Sequence, residues 1–564
     1  MRAAGGELRT DEPVITFTFE GEPVEARSGE TIAAALTAKG IRTLRVTRDG
    51  KPRGLYCGMG VCQECLVEID GQAAQRACMV KITKPIVVRR HVTPARVPVI
   101  APVRRLAPSF PPDPDVLVIG GGAAGLTAAS VAAECGARVV LVDERPAPGG
   151  QYFKQPHSGM AFSAITDDAQ FAEGRKLMAR AEAAGVSIIE GMAVNAALPL
   201  TVTAVWRGQA VELRPRRLVV ATGAYERALP VPGWTLPGVM TTGAAQTLLR
   251  SYRVLAGKRV VIAGNGPLNL QVAVEMQRAG ADVVAVAELA PAPGAKRLPA
   301  LAAMALTSPM LLHQGLGYLR ELRRHGIPLH FGTVLKEVRP GLEASFVVAG
   351  TGTRRTIEIA ADVICMGYGF LPSNELLRLL GCRHQYDQRR RHLVTVRDEE
   401  LRTTVPDVFG IGDCCGLNGA RVAIAEGVVA GMAAAAGATA RSRGSAQQHE
   451  LTTARWAMLR HRRFQQALWQ VFSALPPQDL ATSEVEICRC EGVTISQFDA
   501  VLDEGSDHIG SIKRQSRIGM GRCQGRYCVP EGVERLCRYH GAVPDEFSFA
   551  APRPPVKPVP VSAF

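Results

Sequence analysis

Eight of the fourteen cysteines stand in two groups near opposite ends of the chain. The first group, Cys57, Cys62, Cys65 and Cys78, has gaps of four, two and twelve residues within YCGMGVCQECLVEIDGQAAQRAC. Thiolates in this order suit a [2Fe-2S] cluster. Four thiolates around two irons carry net negative charge, so the loop must aim backbone N–H groups inward, and Gly58 and Gly60 let it curl tightly enough to do so. Structural zinc sites more often pair two short CxxC-like knuckles, a poorer match to adjoining gaps of four and two. The second group, Cys488, Cys490, Cys523 and Cys528, reads CRC, thirty-two residues, then CQGRYC. It is a candidate second [2Fe-2S] ligand set, with zinc left open because four cysteines are also a common zinc ligand set. Arg489, Arg522 and Arg526 adjoin these ligands, and cations there favour the more negative reduced form, which raises the expected potential.

A third constellation points to a nucleotide. VLVIGGGAAG places Gly120, Gly122 and Gly125 between an apolar strand and the helix LTAASVAAECG. Gly120 makes the turn, Gly122 lets backbone approach a pyrophosphate, and Gly125 lets helix pack on strand, with the phosphates at the helix N-terminus. The next strand, ARVVLVDE, ends in Asp143 and Glu144, either able to bind ribose hydroxyls, and spacing to Gly149 and Gly150 favours Asp143. Gly150 and Gln151 complete this candidate cofactor set. Downstream, LVVATGAYER carries Ala221, Thr222 and Gly223, and TTVPDVFGIGDCC carries Gly412 and Asp413. These match the ATG and GD signatures of two-dinucleotide-domain flavoproteins, which makes FAD the expected cofactor, and in that family the GD aspartate binds the ribityl chain.

A second fingerprint, VVIAGNGPLNLQVAVEM, has Gly264 and Gly266 but Asn269 at the third glycine position, and the following strand ends in Glu288. Such a half binds NAD(P), another nucleotide or nothing, because a side chain at the third position weakens close helix packing; no productive NAD site is expected. The CxxxxC of disulfide reductases is replaced by GGQYFKQPHSG, so disulfide reduction is not expected. The remaining cysteines, Cys135, Cys365, Cys382, Cys414, Cys415 and Cys537, read as buried small hydrophobes. No paired carboxylates, Ser/His/Asp set or HExxH helix marks a catalytic residue.

At 564 residues the chain is too long for one core and fits three or four domains. Its net charge of +14 comes without a nucleic-acid motif or a basic run with interleaved aromatics, so the basic surface is read as serving solubility or docking. Cysteine used as ligand, with no secretory signal in MRAAGGELRTDEP, leads to the expectation of a cytoplasmic protein, with peripheral attachment at the inner face of the membrane as a variant. Val116 to Ala133 is uncharged, but its glycines and the following strand argue against a membrane span.

The elements that must position these residues follow in order. The chain is expected to be α/β: a doubly wound, two-dinucleotide-domain flavoprotein with a small iron–sulfur domain at each end. Residues 1–84 read as a β-grasp module, with a hairpin around Glu20 and Gly21, a helix capped at Ser28, then the cluster loop. Residues 85–114, carrying Pro85, Pro94, Pro98, Pro102, Pro108, Pro111, Pro112 and Pro114, read as a semi-rigid linker. From 115 to 440 strands alternate with alanine-rich helices, the second nucleotide fold inserted at about 240–350. Residues 441–480 read as a connector with helical patches, 481–545 as a helical cluster domain, and 546–564 as a proline-rich tail.

The ferredoxin module, the FAD fingerprint, ATGAYERALPVPGWTLPGVM, GYGFLPSNELLRLLGC, GDCCG and GMGRCQGRYC together resemble the α subunits of bacterial heteromeric amine and opine dehydrogenases. Relatives of this kind occur in octopine and nopaline dehydrogenase, D-hydroxyproline dehydrogenase and hydrogen cyanide synthase, and more distantly in heterotetrameric sarcosine oxidase. The small ferredoxin subunit of such complexes is here fused at the N-terminus, and the second cysteine group resembles the bacterioferritin-associated ferredoxin type, whose second pair is usually spaced by two residues rather than four. The resemblance implies FAD, two [2Fe-2S] clusters, a D-amino-acid-oxidase-like FAD β subunit that oxidises the amine, and an electron acceptor such as a quinone. It implies no nucleic-acid partner and no transmembrane segment. The competing expectation is a self-sufficient NAD(P)H-dependent reductase.

Overall fold

The computed structural model describes residues 1–3, 13–92, 113–156, 168–348, 355–436, 444–475, 480–560 and 563. At the N-terminus, Val14–Phe19 and Glu22–Arg27 form an antiparallel hairpin, its turn made by Glu20 and Gly21 at positive φ. The helix that follows, Ile32–Ala38, is capped by Thr31, whose hydroxyl accepts from the Ala34 N–H at 3.3 Å, three residues beyond the expected Ser28. The expected linker is corrected at its start. Val87–Val92 is the middle strand of this sheet, parallel to Val14–Phe19 and to Arg45–Val46 and antiparallel to Leu66–Ile69. Pro85 lies before this strand and Pro94 after it, so every residue within it keeps an N–H for the ladder. The N-terminal module therefore extends through residue 92 instead of ending at 84. Pro94 through Pro112 lie outside the described residues.

Two nucleotide folds follow. The first is a five-stranded parallel sheet in the order Ser187–Glu190, Val139–Asp143, Val116–Ile119, Arg217–Val220, Val408–Gly410. Its inner strands are buried throughout, as parallel strands covered on both faces must be. The helix Ala123–Glu134 leads from the first strand to the second, so the uncharged run from Val116 is a strand and a core helix. Gly419–Ala436 packs on that helix; among the described residues it is the one helix long and apolar enough to cross a membrane, and 72 % of it is buried inside the protein.

The second sheet runs Val239–Thr241, Val363–Gly367, Arg259–Gly264, Asp282–Glu288, Leu329–Phe331. It extends to Gly367 rather than ending near 350, because the strand that pairs between Val239–Thr241 and Arg259–Gly264 comes last in the chain. A three-stranded antiparallel sheet accompanies each fold, Ala193–Leu198 to Gln209–Leu213 in the first and Thr333–Arg339 to Thr356–Ala360 in the second.

The connector is one helix of 27 residues, Ser445–Val471, rather than helical patches. Its buried Leu451, Ala454, Met458, His461, Phe464, Ala467 and Val471 recur every three or four positions, the stripe of a helix laid against a core. The C-terminal region pairs Glu486–Cys488 with Val493–Thr494 and adds the helices Ile495–Asp503, Ile509–Ser516 and Cys528–Tyr539. The expected tail is a strap. Val556 is buried, its carbonyl accepts from Arg526 Nη2 at 3.0 Å, its N–H donates to Asn195 O, and Lys557 pairs with Glu144. Of the six non-ligand cysteines, Cys135 is half-buried and the other five are buried.

Candidate cofactor sites

The glycines of the first fingerprint divide their work as expected. Gly120 has φ 108°, and a Cβ there would lie 2.4 Å from Ala221 O. A Cβ on Gly125 would lie 1.8 Å from Gly120 O, so helix and strand meet backbone to backbone. A Cβ on Gly122 would meet only Gly150 Cα, in ordinary contact at 3.9 Å. Gly122 is the N-cap of Ala123–Glu134, and no side chain caps its N–H groups. The result is a cradle two glycines wide facing a helix N-terminus, the shape and polarity a pyrophosphate requires. Gln151 is half-buried beside Gly150.

Asp143 is buried at the end of its strand, with Oδ2 accepting from Gly121 N at 2.6 Å and Oδ1 from Arg145 N at 2.7 Å. Burial pushes its carboxyl upward, and those two N–H groups oppose the shift. Glu144 does not join it. It lies between Arg76 of the N-terminal module, at 2.5 Å, and Lys557 of the strap. Burial works against its ionisation, yet Lys557 and Arg76 outweigh burial and hold its pKa at about 2. Ala221 continues the sheet through a bond to Ile119 O, Thr222 Oγ1 donates to Ser373 O at 2.6 Å, and Gly223 turns at φ 71°. A Cβ on Gly412 would lie 3.1 Å from Ala124 Cβ, which sets Asp413 beside the start of the same helix. Asp413 Oδ1 accepts from Asn418 N and Gly419 N, both at 2.9 Å, and its other oxygen remains for a ligand.

The second fingerprint is closed. Asn269 spends its amide inside the protein, Nδ2 donating to Gly367 O at 2.9 Å and Oδ1 accepting from Thr242 Oγ1 at 2.9 Å. Glu288 accepts from Gly266 N and Ala290 N at 3.0 and 2.8 Å, and burial pushes its pKa up to about 7. The Trp469 ring of the connector helix lies over Gly266, 3.5 Å from the position of a Cβ there.

Two buried groups beside the first fold went unnoticed in the sequence. Lys154 donates to Gln246 Oε1 at 3.0 Å, and burial lowers its pKa to about 7. Glu226 accepts from Gly243 N at 3.0 and 2.9 Å, and burial raises its pKa to about 7. Only their positions, four residues after Gly150 and three after Gly223, could have flagged them.

The cysteines of the first group approach in pairs, Cys57 with Cys62 and Cys65 with Cys78. Backbone N–H groups point at the sulfurs: Met59 N and Cys62 N at 3.5 and 3.3 Å from Cys57, Glu64 N at 3.4 Å from Cys62. Burial alone would raise the Cys57 thiol, but Cys62 and these N–H groups draw its pKa to about 6. In the second group Cys490 Sγ lies 3.4 Å from Cys523 Sγ, and Cys488 neighbours both Cys490 and Cys528.

Cys57 and Cys62 share one core with the second group, while Cys65 and Cys78 lie in the neighbouring one. Tyr56, which precedes Cys57, stacks edge-on against Tyr527, which precedes Cys528, with ring centroids 5.6 Å apart. Tyr527 meets Tyr225 of the ATGAYER strand at 5.6 Å, and Trp234 meets Tyr56 at 5.8 Å. Arg489, between Cys488 and Cys490, lies over the Tyr56 ring at 4.0 Å and the Trp234 ring at 4.7 Å and faces Glu64 at 3.6 Å. Arg45 and Arg53 also reach Glu64, and Arg53 continues to Glu486 at 2.5 Å, so buried ion pairs join the two end domains. The three arginines of the second group are not equivalent: Arg526 is paired with Glu375 at 3.1 Å and Arg489 with Glu64, whereas Arg522 Nη1 is buried without a hydrogen-bond partner among the described residues.

Comparison with known proteins agrees with this plan. Residues 114–427 match the family described as pyridine nucleotide-disulphide oxidoreductase, residues 12–93 a 2Fe-2S iron-sulfur cluster binding domain, and residues 487–564 the sarcosine oxidase A3 domain. An opine oxidase subunit from Rhizobium meliloti (strain 1021) is 33% identical across 79% of this chain and 97% of its own length. Hydrogen cyanide synthase subunit HcnB of Pseudomonas aeruginosa is 31% identical with the same coverage. The L-proline dehydrogenase structure from P. horikoshii shares the fold, with TM-score 0.71 over 100% of this chain and 99% of that one at 19% identity. The C-terminal match runs to residue 564, which takes in the strap. The chain belongs to the pyridine nucleotide-disulphide oxidoreductase family and, within it, to the α subunits of heteromeric flavoenzymes of the opine oxidase and hydrogen cyanide synthase kind, with a 2Fe-2S domain at its N-terminus.

Proposed function

We propose that this chain is the electron-relaying component of a multisubunit dehydrogenase for an amino acid, opine or other secondary amine. It takes electrons from a D-amino-acid-oxidase-like FAD partner protein and passes them to a quinone or similar acceptor. The observation that carries this reading is the meeting of Cys57 and Cys62, the second cysteine group and the ATGAYER strand in one buried core through Tyr56, Tyr527 and Tyr225. Bound FAD would supply the exchange between paired electrons, as an amine C–H bond releases them, and the single electrons each cluster accepts. Gly122, Gly150 and the helix N-terminus would hold its pyrophosphate, Asp143 an adenosine ribose hydroxyl, and Asp413 the ribityl chain. Cys57, Cys62, Cys65 and Cys78 would hold one [2Fe-2S] cluster, and Cys488, Cys490, Cys523 and Cys528 a second. Arg76 bonds Gly60 O at 3.0 Å and Glu144 at 2.5 Å, clamping the first cysteine loop to the strand that ends in Asp143. Trp469 over Gly266 supports a chain that takes no electrons from NAD(P)H. In place of Glu144, this reading keeps Asp143 alone at the ribose.

The test is anaerobic titration of the chain, alone and with the co-expressed partner flavoprotein, against octopine, nopaline, D-hydroxyproline, glycine and sarcosine. Bleaching of flavin and cluster absorbance by one of these amines only when the partner is present is expected. Rapid bleaching of the isolated chain by NADH would overturn the reading in favour of a self-sufficient reductase.

A further inference from the structure

From Leu298 to Leu319 the sequence LPALAAMALTSPMLLHQGLGYL runs twenty-two residues without Asp, Glu, Lys or Arg. It folds as Leu298–Thr307 and most of Pro309–Arg324, broken at Ser308 and Pro309. One face is spent inside the protein: Ala300 and Met304 pack on Phe464, Ala467 and Val471 of the connector helix, and Leu322 is buried. The other face is open and aliphatic. Leu298 is 61 % exposed, Leu306 85 %, Met310 64 % and Leu316 41 %, with Leu306 and Met310 on either side of the break. A soluble surface seldom presents so continuous an apolar stretch without a use for it.

The surrounding charge selects the occupant. Lys296 and Arg297 precede the stretch, and Arg320, Arg323 and Arg324 follow it; the one acid among them, Glu321, is paired with Arg278 at 2.5 Å. A protein interface is enriched in Tyr, Trp and Phe at its centre, whereas the exposed large apolar residues here are leucine and methionine only. An aliphatic face between two sets of cations is the pattern of a helix pair that lies in the plane of an anionic bilayer surface. The break at Ser308 and the buried inner face exclude a span, which needs about twenty apolar residues in one helix. We propose that the Leu298–Arg324 helix pair is a lipid-contacting anchor that seats the chain on an anionic membrane surface, where a lipid-soluble electron acceptor would be within reach.

The test is flotation of the full cofactor-loaded chain with vesicles of phosphatidylcholine, with and without phosphatidylglycerol. Binding to the anionic vesicles is expected, with little to phosphatidylcholine alone. Leu306→Glu with Met310→Glu should weaken it about tenfold or more, and Arg323→Gln with Arg324→Gln about fivefold per charge removed. Both pairs of changes are exposed, so flavin and cluster absorbance should stay at the wild-type level, which keeps this outcome separate from that of the proposed relay. Absence of wild-type flotation, or flotation unchanged by Leu306→Glu and Met310→Glu, would overturn the proposal. So would a wild-type chain that ignores vesicles while the same double variant loses co-purification with its partner flavoprotein, since the face would then be a contact between the two proteins.

Discussion

The two nucleotide folds of this chain share the order of four strands, a Gly-x-Gly turn and a buried acid at the end of the second strand, and they differ in what packs against the turn. In the first, Gly122 faces only glycine backbone, a Cβ there lying 3.9 Å from Gly150 Cα. In the second, Gly266 faces the Trp469 indole, and Asn269 fills the third glycine position with bonds to Gly367 O and Thr242. Asp143 and Glu288 are nearly superimposable in role, each accepting from a glycine N–H of its own turn and from a backbone N–H two residues on. The two turns thus differ in what packs against the second glycine, and in the second fold it is a helix remote in sequence.

The sharpest way to break this contrast is to fill the open cradle. Gly122→Val should leave the chain folded, since the nearest atom to a Cβ there is 3.9 Å away, but the flavin-to-protein absorbance ratio should fall to near zero. Gly266→Val is strained at its φ of 111°, so it should lower stability while the folded fraction keeps the wild-type ratio. Opening the closed fold is the converse experiment: Trp469→Ala should lower stability by about 1–3 kcal/mol in urea unfolding, less than for a fully buried indole. Trp469→Ala with Asn269→Gly should gain measurable NADH binding by fluorescence if those two side chains are what excludes it.

A smaller effect separates the two acids. Burial raises Glu288 to about 7 from 4.5, so the fold prefers its neutral form. Its contribution is full below 4.5 and is lost as pH rises through 7, by up to about 3 kcal/mol across that window. Glu288→Gln, neutral at every pH, should flatten the decline in unfolding free energy between those limits. The smallest effect concerns the second cysteine group. Arg522→Ala should lower the midpoint potential more than Arg526→Ala in a dye-mediated redox titration, because the charge of Arg526 is already offset by Glu375. Equal shifts would mean that ion pairing does not screen these cations.

What could be read from the sequence was what is local in it. Glycine turns, strand-end acids and cysteine spacings are short-range requirements, so the turn from Gly120 to Gly125 between strand and helix was legible. The partners of Glu144 were not, since Arg76 and Lys557 lie 68 and 413 residues from it. Trp469 over Gly266 and Tyr56 against Tyr527 are packing contacts between distant segments that no period or motif encodes. Val87–Val92 was hidden by prolines around it rather than within it. The strap was hidden by a composition that reads as loose chain, although Val556 and Lys557 tie it to two domains.

The claim on which the account rests is that two two-iron clusters meet at one core, joined by Tyr56, Tyr527 and Arg489. Electron paramagnetic resonance of the anaerobically reduced chain tests it most directly. The account predicts two [2Fe-2S] signals broadened by mutual spin coupling, collapsing to one unbroadened signal when Cys488 and Cys490 are replaced by alanine. Two signals that simply add, or one signal with zinc bound at the C-terminal cysteines, would contradict it.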